Sequence, residues 1–469
     1  MHVLVVGAWP ELASQLVGLP ARMSLFQLPE LANDREADWV YRYQQVDYRD
    51  PGAALAAASL LHAADPVDAV AGFREFALAA VATIAGGLGL PCLPGPAHTL
   101  GQDKAVVRKQ LHHGGCRTVA HRLCDGPADI VAFAEQVGFP VIVKPVAGSA
   151  SEGVHAVRAP DAAGAAWAHA AAVDGGARIL AEQFLDGPEY SVETRTVDGW
   201  HEVVAITEKL TTGDPHRVET GHVMPARVDR RTAAALADEA VRGLSAIGHR
   251  LGPSHVELIV TPSGPAIVEI NRRIGGDRIW ELLMLATGRN LMRESLLDLV
   301  GTARTPPAPV RTPPAPARSR GAAIRFLTAA RPARLADPLP VGAARGVGGV
   351  VRERLTAPGP GATVRPPRSS DDRLGYVVTV AATPEQAASA ADAAHRRVAA
   401  RLFADASIPA ADGTHDADGT HDADGTVGGD GTHDGDGTVG GDGTHDGDGT
   451  VGGDGTRAPD QTPDGEGAA

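Results

Sequence analysis

Cysteines, aromatic residues and long apolar runs are scarce in this chain of 469 residues. Its three cysteines, Cys92, Cys116 and Cys124, show no metal-ligand spacing, and their odd number argues against a disulfide framework. No run reaches the ~18 apolar residues of a membrane helix, and the first residues lack the basic region and cleavage site of a secretory signal. We therefore expect a protein of the reducing cytoplasm that does not contact a membrane.

Basic surface charge is also lacking. The formal net charge is −14, but residues 405–469 hold sixteen of the 57 acidic residues and only one of the 43 basic residues. The rest of the chain is therefore close to neutral, and we expect no nucleic-acid partner. The acidic segment repeats DGTHDADGTVGG and DGTHDGDGTVGG with almost no apolar residues, so we expect a disordered tail.

Short apolar strands alternate with helical stretches through the first hundred residues. The run 2-HVLVVG-7 predicts a buried parallel strand, and 67-VDAVAGF-73 predicts another between helices at 51–64 and 75–88. This order is typical of an open α/β domain. Gly7 is not part of a G-x-G-x-x-G motif, so it does not indicate a dinucleotide site.

A hairpin over residues 255–271 carries three side chains with oxygen donors. Glu257 lies on its first strand, and Glu269 and Asn271 lie two residues apart on the second, so these two share a face. Such oxygens suit a hard cation that carries phosphates, which predicts a magnesium–nucleotide site. A helix is expected to follow at 281–300.

A lysine interrupts an earlier apolar strand. Lys144 is a poor residue for packing in 139-FPVIVKP-145, but a good one for a buried phosphate contact. The next residues, 147-AGSASEGV-154, offer closely spaced amides and hydroxyls that could cover phosphates. Alone, this turn fits an ordinary hairpin loop better, but its position after Lys144 and before the carboxylate hairpin favours a phosphate contact.

Five motifs occur in order: Asp103-Lys104, F-P-V-I-V-K-P (139–145), A-G-S-A-S-E-G-V (147–154), E-Q-F-L-D-G-P-E-Y-S-V-E (182–193) and H-V-E-L…V-E-I-N-R-R-I-G-G-D (255–277). Together they resemble the ATP-grasp superfamily of carboxylate–amine ligases over roughly residues 1–300. The resemblance implies a mixed α/β and α+β chain with the ATP-grasp fold. Its parts are an N-terminal open α/β (pre-ATP-grasp) domain, a small lid subdomain and a C-terminal lobe, with ATP held between two antiparallel sheets.

The expected domain boundaries follow from this resemblance and from composition. They are an N-terminal domain at 1–98, an ATP-grasp domain at 99–302 with its lid at about 118–188, a proline-rich connector at 303–319, a C-terminal lobe at 320–404 and the repeat tail at 405–469.

The resemblance also implies roles for individual residues. Lys104, Lys144, Ser149 and Ser151 would contact the ATP phosphates, Glu182, Gln183 and Leu185 would line adenine, and Glu189 would hold the ribose. Glu257, Glu269 and Asn271 would bind Mg²⁺, or Mn²⁺ in its place. Arg273 would act catalytically with Lys144, because phosphoryl transfer depends on charge clamps and alignment.

The stretch 219-ETGHVMPA-226 and the C-terminal lobe look like the L-amino-acid ligase group, which makes dipeptides. This implies an acyl phosphate formed from a carboxylate and ATP, then attacked by an amine such as an amino acid, in small-molecule biosynthesis. The expected substrate-pocket residues are Glu75, Glu219, His222, Gly275, Gly276, Asp277 and Trp280, with Lys209 as a further phosphate contact. His222 is equally compatible with a structural role, and Trp280 fits a place in the core better than one in the pocket.

Other readings stay open. The chain also fits a biotin-carboxylase-like or purine-pathway ATP-grasp enzyme, although it has no biotinyl-carrier Met-Lys-Met and no second ATP-grasp copy. A catalytically silent nucleotide-binding protein is a third reading, which the complete set of metal-binding residues disfavours. Each of these functions is compatible with a homodimer.

Deleting residues 405–469 should leave activity nearly unchanged, because a segment with almost no apolar residues cannot pack against the enzyme. Steady-state ADP release by full-length and truncated protein checks this expectation. A truncated protein that is folded but inactive would contradict it.

Overall fold

The computed structural model describes residues 1–8, 17–94, 103–146, 153–173, 178–213, 216–301 and 320–404. The connector at 303–319 and the repeat tail at 405–469 lie outside these ranges, so what we expect of them stays a prediction. Within the described ranges, no helix is both long enough and apolar enough to cross a bilayer.

The N-terminal domain is a parallel sheet with helices, as its alternating pattern predicts. Its strand order is β3-β2-β1-β4-β5. The strands are β1 (His2–Val6), β2 (Arg22–Gln27), β3 (Arg42–Gln45), β4 (Ala69–Gly72) and β5 (Cys92–Leu93), and the helices are α1 (Asp34–Ala37), α2 (Pro51–Ala64) and α3 (Leu78–Leu88). Gly7 ends β1 with a φ of +70°, and an added Cβ would lie 2.7 Å from the hydroxyl of Tyr48, so only glycine fits there.

A second, four-stranded antiparallel sheet forms the lid. Helix α4 (Lys104–His113) precedes it, and its strand order is β6-β9-β7-β8. The strands are β6 (His121–Cys124), β7 (Val141–Pro145), β8 (His155–Val157) and β9 (Ile179–Gln183), and the helices are α5 (Pro127–Val137) and α6 (Ala163–Val173). Both helices contribute to one buried apolar cluster with the strands, so the lid has its own core.

The largest sheet has eight strands and contains the predicted hairpin. In chain order its strands are β10 (Glu189–Val197), β11 (Trp200–Thr211), β12 (Glu219–Met224), β13 (Gly252–Thr261), β14 (Gly264–Asn271), β15 (Gly321–Leu327), β17 (Val350–Leu355) and β19 (Gly375–Ala381). They are arranged in the order β14-β13-β10-β11-β12-β15-β19-β17, and all pairs are antiparallel. Helix α7 (Arg230–Ala246) packs on this sheet behind the hairpin.

The C-terminal lobe continues that sheet. Strands β15, β17 and β19 extend it beyond β12, and helix α10 (Pro384–Leu402) packs against them. A small sheet of order β18-β16-β20 completes the lobe; its strands are β16 (Ala333–Leu335), β18 (Thr363–Val364) and β20 (Phe403–Ala404). The C-terminal lobe is therefore attached by backbone pairing as well as by side-chain packing.

The single helix expected at 281–300 is wrong: two helices occupy this stretch, α8 (Ile279–Thr287) and α9 (Leu291–Leu299). Gly288 ends α8 in a left-handed conformation with a φ of +75°, and the Asn290 side chain accepts a hydrogen bond from the amide of Arg293 to start α9. Local capping thus outweighs the continuous apolar pattern.

The break places α8 and α9 against the N-terminal domain. Val3, Val5 and Leu25 of the parallel sheet share one buried cluster with Trp280 of α8 and Met292 of α9. The other face of the parallel sheet packs on its own helices. Apolar packing therefore fixes the N-terminal domain beside the segment that follows β14.

Stability should fall between pH 6.5 and about 4 because of His201. Burial lowers the pKa of His201 to about 4, so the unfolded chain binds a proton in this window that the folded protein resists. Each unit of pKa shift corresponds to about 1.4 kcal/mol, so we expect the free energy of unfolding to fall by about 3 kcal/mol by pH 4.

Urea unfolding of the wild type and of His201→Gln across this pH range measures the effect. The variant should show a smaller loss of stability over this range than the wild type, whereas His113→Gln, at an exposed histidine, should retain the wild-type loss. Equal pH dependence in the wild type and His201→Gln would contradict the assignment.

Candidate functional site

A cleft with an empty volume of about 1150 Å³, including its open mouth, runs between the lid sheet and the large sheet. Strands β7 and β9 line one wall, and β10, β13 and β14 line the other. The cleft brings together nine of the predicted residues: Lys104, Lys144, Glu182, Gln183, Leu185, Glu189, Glu219, Glu257 and Glu269. Residues more than 160 positions apart in sequence thus face one space. Ser149 and Ser151 lie outside the described residues.

On the lid wall, a buried carboxylate is held by two cations. Lys144 Nζ lies 2.7 Å from one oxygen of Glu182, and Arg108 donates to both oxygens at 2.7 and 2.9 Å. Burial would raise the pKa of Glu182, but Arg108 and Lys144 hold it well below its usual range. Glu182 is therefore charged at neutral pH.

Arg108 was not among the residues predicted from the sequence, and it also connects the two walls of the cleft. Its guanidinium donates to the carbonyl oxygens of Ile267 and, at 2.9 Å, Val268 on β14. Arg108 stands one helical turn after Lys104 on α4, and this i, i+4 spacing was the available signal.

The β13–β14 hairpin, which forms part of the opposite wall, carries four polar side chains on one face, and two of them, Glu257 and Glu269, line the cleft. Glu257 pairs across the strands with Glu269, and His255 pairs with Asn271. Cross-strand neighbours lie about 5 Å apart at Cβ, so the three predicted metal-binding side chains extend toward the same side. Lys104 Nζ is 3.4 Å from Glu269, and the Asn271 amide donates to the other Glu269 oxygen at 3.4 Å.

This donor set suits a hard cation in its chemistry: two carboxylates and an amide oxygen. Within the described ranges, no group of three or more His, Cys, Asp or Glu is arranged to hold a metal ion. The predicted set contains only two residues of those types, because its third member is Asn271. The metal assignment stays a prediction.

Lys209 is buried among three carboxylates. Its Nζ lies 2.5 Å from Glu189, 2.9 Å from Glu257 and 3.7 Å from Glu219. Burial would lower the pKa of Lys209, but these carboxylates raise it well above its usual value, so the ammonium stays charged. One cation therefore links the predicted ribose, metal and substrate carboxylates.

Two further site residues, His255 and Glu193, were not foreseen. His255 Nδ1 lies 2.9 Å from Glu193, and Nε2 lies 3.1 Å from Glu257. Burial would lower the pKa of His255, but the two carboxylates raise it to about 9. The signal was positional: His255 stands two residues before Glu257 and therefore shares its face of the strand.

The N-terminal domain contributes Glu75, which follows β4. Arg273 Nε lies 2.5 Å from the Glu75 carboxylate, and its Nη1 donates to the carbonyl of Ile274 at 3.0 Å. Burial would lower the pKa of Arg273, but Glu75 raises it. The structure thus brings together one predicted catalytic residue and one predicted substrate residue from different domains.

The loop after β14 meets the C-terminal lobe at Asp277. Its carboxylate accepts a hydrogen bond from Arg373 at 2.9 Å, and the other oxygen lies 3.4 Å from His222 Nε2. Burial would raise the pKa of Asp277, but Arg373 and His222 keep it far below its usual range. Ser370, three residues before Arg373, donates to Glu219 at 3.3 Å.

The remaining predicted substrate residues are less central. An added Cβ on Gly275 would lie 2.9 Å from His255 Nδ1, whereas one on Gly276 would meet no atom within 4 Å. Trp280 is buried in the core, with the Arg278 guanidinium 5.3 Å from its ring centroid. Trp280 does not line the cleft, so its expected place in the substrate pocket has no support from the cleft lining.

Comparison with known proteins identifies two domains. Residues 137–281 match the ATP-grasp domain, and residues 325–402 match the L-amino acid ligase C-terminal domain 2. The chain is 33% identical over 186 residues to a D-alanine–D-alanine ligase of Desulforudis audaxviator, covering 37% of this chain and 59% of the relative. It is 28% identical over 283 residues to carnosine synthase 1 of Mus musculus, covering 55% of this chain and only 34% of that protein.

The solved structure of an L-amino acid ligase from Bacillus licheniformis has a TM-score of 0.70 to this chain at 23% identity. The superimposed region covers 86% of this chain and 98% of the ligase chain. At this level of identity, the similarity establishes a shared fold only. The ATP-grasp fold that the motifs implied is confirmed, and with it the relation to amino-acid ligases. The fold implies ATP binding.

Arg373→Ala should lower kcat/KM for a small-molecule substrate by about 10- to 100-fold, because a hydrogen bond to a buried charge contributes about 1.5–3 kcal/mol. Nucleotide affinity should change little, since Arg373 does not line the cleft. Steady-state kinetics and a thermal unfolding curve measure both.

Arg368→Ala is the matched control, because Arg368 is exposed on the same segment. Arg373→Lys keeps the charge and should recover part of the loss. Wild-type kinetics in a folded Arg373→Ala protein would show that Asp277 does not depend on the C-terminal lobe.

Proposed function

We propose that this chain, in which an ATP-grasp domain precedes an L-amino acid ligase C-terminal domain, is an ATP-dependent ligase that joins a carboxylate to an amine through an acyl phosphate. One observation carries the proposal: a single cleft is lined by Lys104, Lys144 and the carboxylates of the β13–β14 hairpin. A phosphoryl-transfer site needs these groups on facing walls, because it works by charge stabilisation and alignment.

The lid wall would hold the nucleotide. We assign Lys104 and Lys144 to the phosphates, and the backbone around Gln183 and Leu185 to adenine. Glu189, on the opposite wall, would accept hydrogen bonds from the ribose hydroxyls. Glu182 would act through Lys144, because their 2.7 Å ion pair fixes the lysine ammonium in the cleft.

Glu257, Glu269 and Asn271 would hold Mg²⁺, with Mn²⁺ as an alternative. The metal ion would neutralise charge on the phosphates and orient them for transfer. Lys104 contacts Glu269, and Lys209 contacts Glu257. Burial would raise the pKa of Glu257, but Lys209 and His255 hold it well below its usual value.

The reaction would then proceed in two steps. A carboxylate oxygen attacks the γ-phosphorus, the bond to the bridging oxygen breaks, and ADP leaves with that electron pair. The amine nitrogen next attacks the acyl carbon, phosphate departs with the C–O electron pair, and the nitrogen loses a proton. Arg273 would stabilise the transferring phosphoryl group, and its ion pair with Glu75 keeps its guanidinium in place.

An amino acid is the substrate class we favour. The names of both relatives, carnosine synthase and D-alanine–D-alanine ligase, describe the joining of amino acids. Glu75, Glu219, Asp277 and His222 would contact the acyl or amine substrate, since carboxylates suit an α-ammonium group. Dipeptides or related amides would be the products.

A biotin-carboxylase-like or purine-pathway reaction is the enzymatic alternative, and a catalytically silent nucleotide-binding protein is the non-enzymatic alternative.

A screen for ADP and phosphate release tests the proposal. Pairs of amino acids and small carboxylates are incubated with protein, ATP and Mg²⁺, and products are identified by mass. A ligase gives ADP, phosphate and amide in equal amounts. ADP release that needs bicarbonate favours the enzymatic alternative, and nucleotide binding without turnover on any pair favours the silent protein.

Glu269→Ala should reduce ADP release by at least 10³-fold and weaken Mg²⁺–ATP binding, because it removes a charge from the metal-binding set and the contact of Lys104. Turnover and calorimetric nucleotide binding measure the two effects. Glu135→Ala, at an exposed glutamate of the lid, should behave as wild type. Normal turnover by Glu269→Ala would remove the basis for the metal site.

A further inference from the structure

A buried histidine stands between two carboxylates behind the cleft. His255 is 4% exposed, and each of its ring nitrogens faces a different glutamate. Nδ1 lies 2.9 and 3.1 Å from the two oxygens of Glu193, and Nε2 lies 3.1 Å from Glu257. Both nitrogens are therefore engaged, and His255 has no lone pair directed toward a metal ion.

Glu193 is buried and accepts hydrogen bonds from two neighbouring hydroxyl groups. It is 2% exposed, and its Oε1 accepts hydrogen bonds from Ser191 at 2.7 Å and from Thr207 at 3.3 Å. Ser191 belongs to β10, next to the strand of His255, and Thr207 belongs to β11, the strand beyond β10. A carboxylate with this many partners has little freedom to rotate, so it is a rigid support for the imidazole.

Glu257 is fixed at both oxygens. Oε1 faces His255 at 3.1 Å, and Oε2 accepts from Lys209 at 2.9 Å. Both partners are protein side chains, and Glu257 also lines the cleft. The orientation of this carboxylate is thus set by protein contacts and not by solvent.

The same imidazole supports the loop that follows β14. A Cβ on Gly275 would lie 2.9 Å from His255 Nδ1, closer than a side-chain carbon normally approaches. The absence of a side chain lets the loop lie directly on the ring. Arg273 and Asp277 stand on either side of this contact, two residues away in each direction.

We propose that His255, backed by Glu193, is a positioning residue that orients Glu257 for metal–nucleotide binding and seats the Gly275 loop beside it. This inference rests on the proposed function, because it assigns Glu257 to the metal ion. Hydrogen-bond partners of metal ligands typically contribute 10- to 100-fold to metal affinity by fixing the ligand's orientation. The imidazole of His255 would thus contact both the Glu257 carboxylate and the loop at Gly275.

Mn²⁺–ADP binding, followed by the electron paramagnetic resonance signal of free Mn²⁺, tests the inference without turnover. His255→Leu keeps a similar side-chain volume but removes both ring N–H donors. The affinity for Mn²⁺–ADP should therefore fall about 10- to 100-fold. The Mg²⁺ concentration for half-maximal ADP release should rise by a similar factor. Glu193→Gln keeps its shape and loses its charge, and it should shift both quantities in the same direction by about tenfold.

His201→Gln is the matched control, since His201 is buried in the same large sheet away from the cleft, and both quantities should stay within twofold of wild type. A folded His255→Leu protein with wild-type Mn²⁺–ADP affinity would overturn the inference. If His255→Leu does not fold, Glu193→Gln decides in the same way. A wild-type protein that does not bind Mn²⁺–ADP would instead overturn the proposed function, and the inference with it.

Discussion

Compensation of buried charge is the constraint on which this site depends. A carboxylate or ammonium removed from water is costly unless an opposite charge and hydrogen bonds replace the lost hydration. Glu182 satisfies this requirement with Arg108 and Lys144, and Lys209 does so with the carboxylates around it. Each buried charge is stabilised by its oppositely charged neighbours. The side chains that line the cleft are therefore held in place before a nucleotide binds.

Ion pairs between buried or partly buried charges also connect the N-terminal domain and the C-terminal lobe to the loop that follows β14. Arg273 reaches Glu75 in the N-terminal domain, and Asp277 reaches Arg373 in the C-terminal lobe. The segment between them follows directly from the β13–β14 hairpin. In the proposed function, phosphoryl transfer beside β14 and recognition of a small carboxylate or amine would therefore occur within a few residues of each other, on a loop that contacts both the N-terminal domain and the C-terminal lobe.

The sequence was sufficient for the parts of the fold that local pattern determines. The β13–β14 hairpin and the parallel N-terminal domain follow from apolar periodicity and strand alternation. Lys144, Glu257 and Glu269 follow from their places on predicted strands, whereas the adenine and ribose residues of the cleft came only from the resemblance to the ATP-grasp superfamily. Arg373 could not be foreseen, because it meets Asp277 only after the C-terminal strands join the large sheet. His255 carried a positional signal, but its role depends on Glu193, sixty-two residues earlier on a neighbouring strand. Tertiary pairing of distant charges is the information that local patterns do not contain.

The fate of a labelled carboxylate oxygen tests the central claim most directly. A carboxylate substrate found in the screen would carry ¹⁸O in both carboxyl oxygens, and the released phosphate would be analysed by mass. An acyl-phosphate ligase transfers one ¹⁸O to phosphate for each amide formed, because the attacking oxygen leaves with the phosphoryl group. Amide formation with unlabelled phosphate would contradict the account.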